Sequence, residues 1–291
     1  MIRLVNVLVA GCGWLGTAVA RALVAQGHRV TGIRRDPQRA QELSLLGITP
    51  LPLDLTQPSA GDRLPGELDW IVACQAASGE DVEAYRSAYL QVNETLLQAA
   101  RRRRVRGFVY TSSTGVFGQS DGQEVDETTP VEPASDTAKV LAEAERLVLA
   151  GPVPGRVVRL SGLYGPGRYG VIDRVRSGRL ALGPGDEAWT NWCHQEDAAA
   201  FVLAALERGR PGGLYHASDA QPLRRRELVE WIAGQLGIEP KRSGEAADRG
   251  PLAAGRAHRR ISSERTRAEL GLALRYPSVR EGLAAPLSSP S

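Results

Sequence analysis

Apolar positions along the chain follow two alternating rhythms. Runs of strand length recur through the first two thirds: Leu4–Ala10, Arg29–Ile33, Thr49–Leu53, Trp70–Cys74, Phe108–Thr111 and Val157–Leu160. They are rich in Val, Ile and Leu without clean polar alternation, as expected of strands covered on both faces. Between most of them the period becomes helical. Leu15, Ala18, Val19, Ala22 and Leu23 form one apolar stripe, closed by Gly27 past the helix end. Val82–Arg103 and Thr137–Leu149 read as further helices. Strand and helix repeated in this order predict an α/β chain built on a doubly wound parallel sheet.

After about Gly165 the rhythm changes. Tyr164-Gly165-Pro166-Gly167 and Gly183-Pro184-Gly185 read as turns, with one short basic helical stretch between them. A helix from Gln195 to Glu207 and a strand near Leu214–Ala217 return to the sheet, and Arg224–Leu236 with Ser263–Leu270 form helices of a small final lobe. The expected division is therefore residues 1–165 with 195–217 for the sheet domain, and 166–194 with 218–291 for the smaller lobe. Ala284–Ser291 shows no periodicity and is expected to be loose.

Composition narrows the function. The chain has 291 residues, 42% of them hydrophobic, enough for a large core. A net charge of +3 on 36 basic and 33 acidic side chains is too small a bias to argue for nucleic acid or an anionic membrane. Arg101–Arg104 with Arg106, and Arg224-Arg225-Arg226, read as solvated faces, since no aromatic interleaving accompanies them. Cys12, Cys74 and Cys193 match no zinc spacing, and an odd, low count fits a reducing compartment. The apolar start reads as a strand rather than a signal core, and no run is long enough to span a bilayer. A cytoplasmic protein without metal is expected.

Gly11-Cys12-Gly13-Trp14-Leu15-Gly16 follows a predicted strand and opens an amphipathic helix, the context that gives a glycine pattern meaning. Gly11 permits the tight turn, Gly13 lets backbone approach a pyrophosphate, and Gly16 allows close helix–strand packing. Free N–H groups at the helix start, on Trp14 and Leu15, suit phosphate charge. The second strand ends in Arg34-Arg35 where a ribose-binding carboxylate is usual. Two guanidinium groups suit a 2′-phosphate, so NADP is the expected cofactor, with NAD as the alternative that Asp36 keeps open. Asp54, beside Leu55, closes the third strand and reaches the adenine edge or caps a helix. Ala76, after the fourth strand, lets backbone pass close to the cofactor or merely packs.

Together with Thr111–Gly118, Arg159, Tyr164-Gly165-Pro166-Gly167 and His194-Gln195-Glu196-Asp197, these motifs resemble the extended short-chain dehydrogenases, a group of nucleotide-sugar epimerases, dehydratases and reductases. Similarity extends over nearly the whole chain and is closest to an atypical epimerase/dehydratase-like branch. The resemblance implies a Rossmann-type fold, a small hydroxylated or carbonyl substrate, and a homodimer through Val82–Arg103 and Thr137–Leu149. It implies that Ser113 binds the substrate oxygen. It also implies a Tyr four residues before a Lys as the proton-transfer pair, and here the chain departs from it. Those positions fall on Thr137 and Leu141, while Lys139 stands about 200° around the helix from Leu141.

Three explanations stay open: another acid or base, with His194 and Tyr164 as outside candidates; cofactor binding without turnover; or a shifted register that brings Lys139 to the site. Arg174–Leu182 and Trp189–His194 are expected to line the substrate cleft, with at least one tryptophan packing between the lobes.

Overall fold

The computed structural model describes residues 4–183, 185–242 and 258–288. Seven parallel strands form the central sheet: β1 (Asn6–Ala10), β2 (Arg29–Arg34), β3 (Thr49–Pro52), β4 (Trp70–Ala73), β5 (Gly107–Ser113), β6 (Gly155–Leu160) and β7 (Leu214–Ala217). Their spatial order is β7-β6-β5-β4-β1-β2-β3, so the winding reverses between β1 and β4.

The period of two along each strand feeds two cores. Val7, Val9, Val72, Val109 and Val158 face one side, under helices α1 (Trp14–Ala25) and Gln195–Arg208. Leu8, Ile71, Phe108, Tyr110 and Val157 face the other, under α2 (Val92–Arg102) and α3 (Asp136–Leu149). Strands buried on both faces explain why their sequences lack polar alternation.

A smaller C-terminal lobe packs its own core from Tyr164, Val171, Val175, Trp192, Leu228, Ile232, Val279 and Leu283. It holds α4 (Gly170–Ser177) and, after a return to the sheet through α5 (Gln195–Arg208) and β7, α6 (Arg225–Leu236) and α8 (Val279–Ser288). Helix α7 (Glu264–Leu270), expected in this lobe, packs on the sheet domain instead: Leu270 joins the core under α1 and α5, and Thr266 Oγ1 accepts from His216 N at 2.8 Å. Short ladders join Gly162–Tyr164 to Trp192–His194, and Leu223–Arg224 to Trp189–Thr190.

Several expectations change. The long helix over Val82–Arg103 divides into Val82–Tyr85, a wider π-type turn at Arg86–Gln91, and α2. Most of the expected loose tail is α8, which runs through Pro286 and is seated by buried Val279 and Leu283; residues 289–291 lie outside the described residues, as does Pro184 of the expected turn. Arg101, Arg102, Arg104 and Arg106 are exposed as expected, while Arg103 is half-buried and donates to the carbonyls of Leu64 and Pro65 at 2.8 and 2.7 Å. In the second arginine cluster Arg225 is buried and paired with Asp186, against the solvated reading. Among the described residues no helix is long and apolar enough to cross a membrane, and no cluster of metal-ligating side chains is present.

Candidate functional site

The reversal between β1 and β4 leaves a crevice outside the carboxyl ends of the strands, and the turn after β1 opens into it. Gly11 has φ +81°, and a Cβ there would lie 2.5 Å from the Gln75 backbone; at Gly16 it would lie 2.3 Å from the Gly11 carbonyl. Gly13 differs: nothing lies closer to its Cβ position than the Gly11 oxygen at 3.9 Å. No side chain caps α1, so the N–H groups of Trp14 and Leu15 are orphan donors beside this open face. A bare glycine surface under uncapped amides and a positive helix end fits the pyrophosphate of a dinucleotide.

The Cys12 thiol lies beneath the turn, and burial pushes it up to about 12, so it stays protonated and inert. Trp14 instead reaches the second lobe. Its indole donates to the Pro166 carbonyl at 2.7 Å, and Gln195 Nε2 donates to the Trp14 carbonyl at 2.8 Å.

Arg34 does not project toward a ribose. Its Nε donates to the Cys12 carbonyl, Nη1 to the Arg39 carbonyl at 3.0 Å and Nη2 to Thr17 Oγ1 at 3.1 Å, with Glu42 Oε2 3.4 Å away. The guanidinium thus braces the glycine turn from behind. Arg35 is exposed, and Asp36 caps the next helical turn by accepting from Arg39 N at 2.9 Å. Asp54 Oδ1 accepts from the Thr56 amide and hydroxyl at 3.0 and 2.7 Å; partial burial opposes its ionisation, but these bonds and the nearby Arg35 charge hold it below the usual carboxylate range. Leu55 is buried in the sheet core, and Ala76 is exposed after β4.

Ser113 is the last residue of β5, and its Oγ accepts from Gly115 N at 3.0 Å, with no acceptor for the hydroxyl proton among the described residues. Thr137, in the first turn of α3, is half-buried with its Oγ1 3.0 Å from Ser135 Oγ. Leu141 is buried in an apolar cluster with Val116, Phe117, Val125 and Ile261. Lys139 has a side chain 66% exposed and pairs with Asp136 at 2.8 Å, so the site does not receive it.

The two outside candidates are structural. Burial pushes the Tyr164 phenol up, and its hydroxyl donates to the Ser278 carbonyl at 3.4 Å. Burial lowers the His194 pKa, and Nδ1 of the neutral ring accepts from Glu196 N at 3.3 Å while the ring stacks 3.8 Å from Tyr276.

Sequence reasoning missed the assembly built on Ser112, the residue before Ser113. Glu145 of α3 accepts from Ser112 Oγ at 2.7 Å and from Arg159 Nε and Nη2 at 3.0 and 2.7 Å, all buried. Two arginines, Arg156 and Arg159, within the fully buried β6 were the available signal. In the expected cleft, Trp192 is a packing anchor, buried against Tyr164 with its Nε1 donating to Thr190 Oγ1 at 3.0 Å. Leu180, Ala181 and Leu182 are buried rather than lining. Trp189 is half-buried, with Arg224 and Arg260 over its ring at 5.0 and 5.6 Å.

This sheet order, glycine turn and β5 serine define a dinucleotide-binding α/β protein. More narrowly, the chain belongs to the NAD dependent epimerase/dehydratase family, whose model matches residues 7–217. It is 30% identical to Protein YeeZ of Escherichia coli K12 over 280 residues, covering 94% of this chain and 96% of that one. It is 31% identical to the 3-diazoavenalumate denitrifying reductase of a Streptomyces species over 304 residues, covering 96% and 99%. Its fold is similar to that of DesIV, a dTDP-glucose 4,6-dehydratase from Streptomyces venezuelae solved as a double mutant with NAD and DAU bound (TM-score 0.80, 22% identity, 97% and 95% coverage).

The expected preference for NADP is corrected. That complex and further solved complexes of the same fold hold NAD. The physical reason for the misreading is Arg34: the guanidinium assigned to a 2′-phosphate is bound on three nitrogens by the Cys12 carbonyl, the Arg39 carbonyl and the Thr17 hydroxyl.

Proposed function

We propose that this protein is an NAD-dependent oxidoreductase or epimerase/dehydratase-like enzyme acting on a small hydroxylated or carbonyl substrate, with nucleotide sugars as one class to test. The observation that carries the reading is the open Gly13 face under the uncapped start of α1 at the sheet's switch point, with the Ser113 hydroxyl at the end of β5 two strands away. The kinship with a reductase along nearly its full length supports it. Residues 1–165 with 195–217 are assigned to the cofactor and 166–194 with 218–291 to the substrate. A homodimer through α2 and α3 belongs to the same proposal, with sedimentation as its check.

When bound, NAD exchanges hydride at its nicotinamide ring. The chain's own contribution is binding, orientation and proton handling. Gly11, Gly13, Trp14, Leu15 and Gly16 hold the pyrophosphate through backbone amides, while Asp54, Leu55 and Ala76 border the adenosine half. Ser113 donates to the substrate oxygen, one of its lone pairs already filled by Gly115 N. The Thr137–Ser135 hydroxyl pair carries the proton outward, since Ser135 is exposed. Neither hydroxyl ionises near neutral pH, so the pair works as a relay and not as a resident base.

Calorimetric titration with NAD, followed by a screen of carbonyl compounds and nucleotide sugars by nicotinamide absorbance, tests this. Turnover abolished by Ser113→Ala is the expected result. A second reading, NAD binding without turnover, is favoured by buried Leu141 where the family's lysine would stand; tight NAD binding with no substrate found would support it.

A further inference from the structure

A dinucleotide's pyrophosphate carries two negative charges, and a helix N-terminus offsets only about half of one. Arg34 cannot supply the balance, because its guanidinium faces away into the turn. A cation from the other lobe stands at this place. The guanidinium of Arg168 lies over the Trp14 ring, 4.9 Å from its centroid, and Trp14 is the first residue of α1. Arg168 is exposed and makes no ion pair among the described residues.

The chain builds this placement deliberately. Gly165 at φ +145° and Gly167 at φ +75° shape a tight turn, closed by Arg168 N donating to the Gly165 carbonyl at 2.7 Å. The Trp14 indole fastens that turn through Pro166, so the turn carrying Arg168 is tethered to the helix end that offers its amides. Stacking on an indole orients the guanidinium without neutralising it.

We infer that Arg168 is the cofactor's pyrophosphate clamp, swinging from the Trp14 face onto the phosphate oxygens and so joining the substrate lobe to the bound dinucleotide. This rests on the cofactor reading above. The test is calorimetric titration of NAD and ADP-ribose into wild type, Arg168→Met and Arg168→Lys at two ionic strengths. Met keeps the stem on the indole and removes the charge. One charge-assisted contact corresponds to roughly tenfold to a hundredfold in affinity. Weakening of that size for Met with both ligands, a shallower salt dependence, and partial rescue by Lys are expected, with unchanged melting temperatures. Met binding both ligands within twofold of wild type overturns the clamp alone. Failure of the wild type to bind NAD or ADP-ribose overturns the clamp together with the cofactor reading.

Discussion

Glu145 and Arg159 meet in the interior of the sheet domain, Oε2 to Nη2 2.7 Å apart, with side chains only 4% and 3% exposed. Glu145 also receives the Ser112 hydroxyl, and the Arg159 guanidinium covers the Phe117 ring at 4.8 Å. The pair therefore fixes α3, β5 and β6 to one another through Ser112, the neighbour of Ser113 on β5. Removing one partner leaves the other charge buried and unpaired. Glu145→Ala is expected to cost about 3–5 kcal/mol, and the double change Glu145→Met, Arg159→Met clearly less. Urea unfolding of the three proteins checks the order; a double variant weaker than the single would contradict it.

The two glycines of the turn separate binding from folding. Gly13→Ala places its Cβ in open space, so melting should barely move while NAD affinity falls about tenfold or more as the cradle fills. Gly16→Ala drives its Cβ to 2.3 Å from the Gly11 carbonyl, and folding itself is expected to lose roughly 1–3 kcal/mol or more. Paired thermal melts and NAD titrations distinguish the outcomes.

Arg34→Ala tests the corrected cofactor assignment. The side chain is 22% exposed and braces the Cys12 and Arg39 carbonyls. Its loss should lower stability by about 1–3 kcal/mol and leave the ratio of NAD to NADP affinities unchanged within a few fold. A shift of that ratio by more than tenfold toward NAD would restore a 2′-phosphate role.

His216 predicts an acid limb. Burial, helped by the Arg159 charge, lowers its pKa from 6.5 to about 3, and Nδ1 is bonded to the Ser262 carbonyl at 3.0 Å. The unfolded chain takes up a proton near pH 6.5 that the folded protein refuses until about pH 3. Stability is therefore full above pH 6.5 and falls as pH drops between those values, by roughly 1.4 kcal/mol per unit at most from this group. His216→Gln should flatten that slope in urea titrations between pH 4 and 7; an unchanged slope would assign the limb to other groups.

The sheet and the phosphate turn were legible because their signals are local. A strand, three spaced glycines and an amphipathic helix lie within one short stretch, and each fixes its own backbone. Partners distant in sequence were not. Glu145 and Arg159 sit on separate elements, and nothing around either residue reports the other. Arg34 was misread for the same reason, since the acceptor that claims it is a backbone carbonyl 22 residues away. The π-type turn at Arg86–Gln91 widens a helix without breaking its apolar pattern. The helix at Val279–Ser288 was hidden by Pro286 and a weakly patterned end, and only the lobe core against Val279 and Leu283 makes it a helix.

The return of the chain to the sheet has a consequence for how the protein is made. Helix α5 covers Val9, Val72, Val109 and Val158, and β7 closes the sheet edge beside β6, yet both are translated after the second lobe has begun. A ribosome that has released only the first six strands holds a half-covered sheet with one apolar face and one open edge. The sheet domain therefore cannot mature before the first part of the second lobe has been made. A fragment ending at residue 165 should aggregate rather than fold.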